Sequence, residues 1–143
     1  MREILFRGKM IANGSWSEGN LLVTKQGCCI TPDATVLGSY GAVDPETVGQ
    51  YTGLKDENGQ KIFEGDILEV DVFKNLHRYK AVWTVEYKER FSQGNGYYFY
   101  GKNRRFNTRA TQSIIINTHA TVIGNIYDNP EFLGDEENDS NDT

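Results

Sequence analysis

Four groups of residues in this chain have types that could do chemistry. Glu64 and Asp66 flank Gly65, and two carboxylates so close could share a divalent ion or divide acid and base roles in a hydrolysis. Such ions usually want more oxygen ligands than this segment offers. A Gly-Asp pair ahead of an apolar strand is also accounted for by turn chemistry, with Gly at positive φ and the carboxylate accepting backbone N–H groups. The structural reading of Glu64 and Asp66 therefore stands ahead of the hydrolytic or metal reading. His77 and His119 lie in different segments with polar neighbours, and no motif supplies the nucleophile and orienting acid of a dyad. Cys28 and Cys29 are adjacent, so they offer two soft ligands without a second pair and no ordinary bridge across a fold. No catalytic, cofactor-binding or metal residue is assigned.

The fourth group is basic and aromatic. Lys102, Arg104, Arg105 and Arg109 place four cations in eight residues around Phe106, just after Tyr97-Tyr98-Phe99-Tyr100. Cations that track phosphates beside rings that stack on bases suit a single-stranded nucleic acid. The plainer alternative is a solvated hairpin loop whose charges offset acids elsewhere.

Strands must carry these residues. Leu68, Val70 and Val72 alternate with Glu69 and Asp71, and Tyr79, Ala81, Trp83, Val85 and Tyr87 alternate with Lys80, Thr84, Glu86 and Lys88. That is the period of half-buried strands. Tyr97 to Tyr100 puts aromatics on both faces, so at least one face is expected to project outward or against another subunit. Ile114 to Ile116 and Ala120 to Ile123 read as the last β segment, with a single helical turn allowed near 126–132. Asn13-Gly14 reads as a two-residue hairpin turn, Asn58-Gly59 as another turn, and residues 24–46 lose periodicity among Gly27, Pro32, Gly38, Gly41 and Pro45. The expected organisation is an N-terminal hairpin and irregular segment over 1–46, a small barrel over 47–133 and a disordered acidic tail over 134–143.

Charge limits the function classes. Residues 134–143 hold five of the 20 acids and no cation, which leaves 15 basic against 15 acidic residues elsewhere. A neutral body carries no global signal for nucleic acid or membrane and offers little repulsion against self-association. No apolar run approaches the roughly 20 residues of a membrane span, and nucleotide-binding and zinc-protease motifs are absent. The reading is a soluble cytoplasmic protein with no cofactor and no small-molecule substrate.

Three stretches together resemble the YopX family of small bacteriophage and prophage proteins of Gram-positive bacteria. They are Arg2 to Lys9; Val48 to Asp56 with Gly59 and Ile62 to Ile67; and Val122 to Glu131. Within them Gly49, Gln50, Tyr51, Gly53, Gly59, Glu64, Gly65, Asp66, Gly124, Asn125, Tyr127 and Asp128 carry the resemblance. It implies an all-β fold with a C-terminal SH3-type barrel and structural roles for those residues, and it delivers no activity. The first functional expectation is a non-catalytic protein-interaction module open to homo-oligomerisation through strand edges or exposed aromatics. The second is nucleic-acid binding through Lys102, Arg104, Arg105, Phe106 and Arg109. Hydrolysis at Glu64 and Asp66 comes last.

Overall fold

The computed structural model describes residues 3–31, 41–90 and 94–134. Pro32, Gly38 and the acidic residues after Gly134 lie outside them. The chain divides into two compact units, Met1–Gly53 and Leu54–Thr143.

In the first unit, β1 (Phe6–Lys9), β2 (Trp16–Thr24), β3 (Gly27–Thr31) and β4 (Gly41–Val43) form an antiparallel meander, and β5 (Gly49–Lys55) pairs with the free side of β1. The stretch expected to be irregular thus contributes β3 and β4. Ile30, Val43 and Tyr51 are its buried apolar residues. Gly8 is small for a reason: a Cβ there would lie 3.1 Å from Val43 and 3.3 Å from Ile30. The turn at Asn13-Gly14 is wider than two residues. Met10 N–H donates to Ser15 O, only Gly14 has positive φ, and Asn13 Oδ1 accepts Ser15 N–H.

The second unit is an open antiparallel sheet in the order β10-β9-β8-β7-β11, with β7 Asp66–Lys74, β8 His77–Lys88, β9 Gly96–Gly101, β10 Asn107–Arg109 and β11 Thr121–Asn125. A short β6 (Lys61–Phe63) precedes it. Among the described residues the chain is all-β apart from one α-helix and two short 3-10 turns, but the expected barrel is not closed, because β10 and β11 remain as edges. Ile114 to Ile116, expected in a strand, lie in that helix, α1 (Gln112–Thr118). Thr111 Oγ1 caps its start by accepting Ile114 N–H, and His119 ends it at φ 51°. Ile115 is fully buried with Leu68, Val70, Trp83, Val85 and Phe99. The helix thus covers an apolar sheet face that barrel closure would otherwise have to hide.

Among the described residues, no helix is long and apolar enough to cross a membrane.

Candidate functional site

Register sorts the side chains of the second unit onto two faces. Leu68 pairs with Trp83, Val70 with Ala81 and Val72 with Tyr79, while Trp83 pairs with Gly101 and Val85 with Phe99. This face is the core at one end. Toward the β7–β8 hairpin it opens into a cleft of about 560 Å³.

The cleft combines rings and cations. Phe73, Tyr79, Trp83 and Phe106 line it, with Lys74, Lys80, Lys102 and Arg105, and no carboxylate is among its lining residues. Phe106 stacks on Trp83 at 5.2 Å between centroids, and Trp83 stacks in turn on Phe99 at 5.5 Å. Trp83 is buried whereas Phe106 is 49% exposed, so a wet ring rests on a fixed one. The loop that brings Phe106 there is closed by Gly101 N–H donating to Phe106 O and Arg104 N–H to Gly101 O, each at 2.9 Å. Asn103 Oδ1 accepts Arg105 N–H at 3.0 Å, a side-chain turn that leaves Arg105 exposed.

Charge at the hairpin end is tempered. Lys80 Nζ sits 2.9 Å from Asp71 Oδ1 and Arg78 Nη2 bonds Asp71 Oδ2. These two cations, Arg78 first, hold the Asp71 carboxyl down at about 2, and Asp71 in turn raises the Lys80 ammonium.

The opposite face holds Tyr98 and Tyr100, which are 1% and 5% exposed. The expectation that one face of 97–100 projects outward or against another subunit is corrected, because Tyr98, Phe99 and Tyr100 are all buried within the chain itself. Cations cover the tyrosines. Arg90 lies 4.4 Å from the Tyr98 centroid and bonds the Tyr100 hydroxyl, and Arg104 lies 4.4 Å from the Tyr100 centroid. Arg104 also makes a two-pronged pair with Glu86, whose carboxyl it holds below the usual range. Arg109 sits over Tyr98 at 5.9 Å and donates to Asn95 O at 3.1 Å.

The five residues singled out from the sequence are therefore split. Lys102, Arg105 and Phe106 line the cleft, while Arg104 and Arg109 pack on tyrosines of the other face. Sequence reading missed Phe73, Lys74, Tyr79 and Lys80 as partners of that loop. A signal existed: residues 72–109 carry nine cations against Glu86 and Glu89 alone.

The motif residues assemble elsewhere. Gly49 and Gln50 pair with Arg7 and Phe6 of β1, Tyr51 is buried, and Gly53 takes φ 86° within β5. Gly59 takes φ 84° in a hairpin whose Asp56 accepts N–H groups from Asn58, Gln60 and Val122 at 2.9 Å each. Glu64 and Gly65 form the turn into β7, with Gly65 at φ 91°, and Asp66, 1% exposed, accepts Phe63 N–H at 2.7 Å. Tyr127 lies against Gly65, where a Cβ would come within 3.2 Å of its ring, and Ile126 N–H donates to Gly65 O. Gly124 leaves room for Asn129, and Asn125 Oδ1 accepts from Tyr127 and Asp128. Two stretches 60 residues apart in sequence thus close on each other as interlocked turns. Among the described residues, no group of three or more His, Cys, Asp or Glu is placed to hold a metal ion. Cys28 and Cys29 are free thiols on β3, and His119 Nδ1 lies 2.7 Å from Glu57 Oε1.

No curated protein matches the chain. Among solved structures it is similar to the crystal structure of protein EF1440 from Enterococcus faecalis, with 25% identity and a TM-score of 0.59, over 93% of this chain and 99% of that one. The family profile described as YopX protein matches residues 9–134, a span that holds the interlocked turns and the cleft together. The chain belongs to the YopX family.

Proposed function

We propose that the chain is a non-catalytic binding protein whose ligand is a single-stranded nucleic acid held in the cleft of the second unit. One observation carries this reading: four rings and the cations Lys74, Lys102 and Arg105 line a cleft of about 560 Å³ whose lining holds no carboxylate, with Lys80 at its edge held by Asp71. Backbone phosphates need the cations, and unpaired bases need ring faces such as the half-exposed Phe106. The setting that fits the family is a bacteriophage or prophage gene product working in the host cytoplasm. The test is fluorescence anisotropy with a labelled oligothymidylate at about 50 mM salt, where phosphate contacts count most. Binding that Phe106→Ala weakens about tenfold or more supports the reading. Absence of binding at that salt would overturn it.

A second reading, protein interaction with self-association, draws on the adjoining hairpin tip, which shares Phe73 with the cleft. The β7–β8 hairpin tip exposes Leu76 by 98% and Phe73 by 73%, and apolar side chains so placed suit a protein partner or a second copy. Light scattering over a concentration series decides it, and a monomer throughout removes the self-association part. Hydrolytic chemistry at Glu64 and Asp66 finds no support in a carboxylate buried in its own turn.

A further inference from the structure

Gly134, at φ 62°, lies against Lys102: a Cβ there would come 2.8 Å from Lys102 Nζ. Lys102 is one of the cations that line the cleft. A short 3-10 turn over Pro130–Leu133 sets this exit, with Gly134 N–H donating to Glu131 O at 3.2 Å. The residues that follow are Asp135, Glu136, Glu137, Asn138, Asp139, Ser140, Asn141, Asp142 and Thr143, with five acids and no cation. A chain of nine residues spans up to about 30 Å, ample to cross the cleft from its lysine side.

From this juxtaposition we infer that the acidic segment 135–143 docks in the cleft and competes there with a polyanionic ligand. The complementarity is direct, because the cleft has cations and no lining carboxylate while the segment has the reverse. Tethering makes the contact effective even when each ion pair is weak. A short linker holds its end at a local concentration in the millimolar range, so an intrinsically weak site is occupied for much of the time. The segment offers negative charge but no ring or base. It therefore satisfies the cations and leaves the Phe106 face without a stacking partner, and a single strand that supplies both displaces it. The outcome is a salt-sensitive brake that favours strong ligands over weak ones.

The competition part rests on the proposed nucleic-acid reading, whereas the docking itself does not. The experiment separates them by using the full chain, wild type and with Asp135→Asn, Glu136→Gln, Glu137→Gln, Asp139→Asn and Asp142→Asn combined. Backbone amide shifts are recorded without any nucleic acid at low and high salt. Docking predicts that Lys102, Arg105 and Phe106 shift between the two proteins at low salt and converge at high salt. Oligothymidylate binding is then compared, with affinity for the neutralised chain about fivefold higher at low salt. Shift differences without oligonucleotide binding in either protein would uphold docking and sink the nucleic-acid reading. Binding of equal strength in both proteins, with identical cleft shifts, would overturn docking and leave that reading standing. Neither shifts nor binding would end both.

Discussion

Arg104 and Arg105 are neighbours in sequence and have opposite duties. Arg105 is exposed on the cleft, while Arg104 is tied to Glu86 and laid over Tyr100. Arg105→Glu is expected to cut oligothymidylate affinity about tenfold at low salt, since it removes one phosphate contact and adds a repulsion. Arg104→Glu should change affinity by less than about threefold, because its charge sits on the other face and is screened. It should instead lower the melting temperature, as two acids then face each other beside a buried tyrosine. Anisotropy and thermal melts on both variants check the division, and equal affinity losses would refute it. A nearby carboxylate acts in the other direction. Asp71 is held at about 2 by Arg78 and Lys80. A carboxyl depressed in the fold contributes stability above its unfolded value near 4, and that contribution is lost as pH falls from there toward 2. Wild type should therefore melt above Asp71→Asn at pH 7, and the gap should close as the pH approaches 2. At neutral pH the same variant releases Lys80 and should bind oligothymidylate more tightly than wild type, which a titration at low salt reads directly.

Elements show what alternation reveals and what it hides. The strands β7 and β8 were legible because Val70, Val72, Ala81 and Trp83 keep a period of two on a half-buried face. Helix α1 was not, because Ile114-Ile115-Ile116 is a β-branched run that propensity assigns to a strand. Tertiary contact overrides that preference: one isoleucine fills the core, Thr111 caps the start and His119 takes the left-handed turn at the end. The cleft escaped for a related reason. Lys74, Tyr79 and Lys80 are scattered along strands, and only the antiparallel register sets them beside a loop some 25 residues away. The hairpin that carries them has a strained tip. Asn75 and Leu76 both have positive φ, at 53° and 67°, as a two-residue turn between Lys74 and His77 requires. Asparagine tolerates this conformation, but leucine pays about 1 kcal/mol for it. Its side chain recovers nothing by packing, being 98% exposed. Leu76→Gly is expected to raise the melting temperature by several degrees. If the tip mediates self-association, the same change should shift the light-scattering mass toward the monomer, so one variant separates the cost of the residue from its use.

At the scale of the whole molecule, net charge conceals where charge is kept. The formal value of −5 is the sum of a neutral remainder and five acids after Gly134, and the remainder itself contains a basic stretch from 72 to 109. Cations in that stretch serve two purposes: Arg90, Arg104 and Arg109 lie over tyrosines, and Lys74, Lys102 and Arg105 line the cleft. Affinity for a polyanion should therefore be set by few contacts rather than by a large basic surface. If all four lining cations engage phosphates, the logarithmic salt slope for a single strand is about −3. Raising salt from about 50 to 200 mM then weakens binding about fiftyfold. A protein partner held at the apolar hairpin tip predicts the opposite, because salt does not weaken burial of Leu76 and Phe73. Measuring binding across that salt range on the full chain thus discriminates between the two readings. A slope of about −4 would mean that Arg104 and Arg109 leave their tyrosines to join the site, and the two-face division drawn from the register would fail with it.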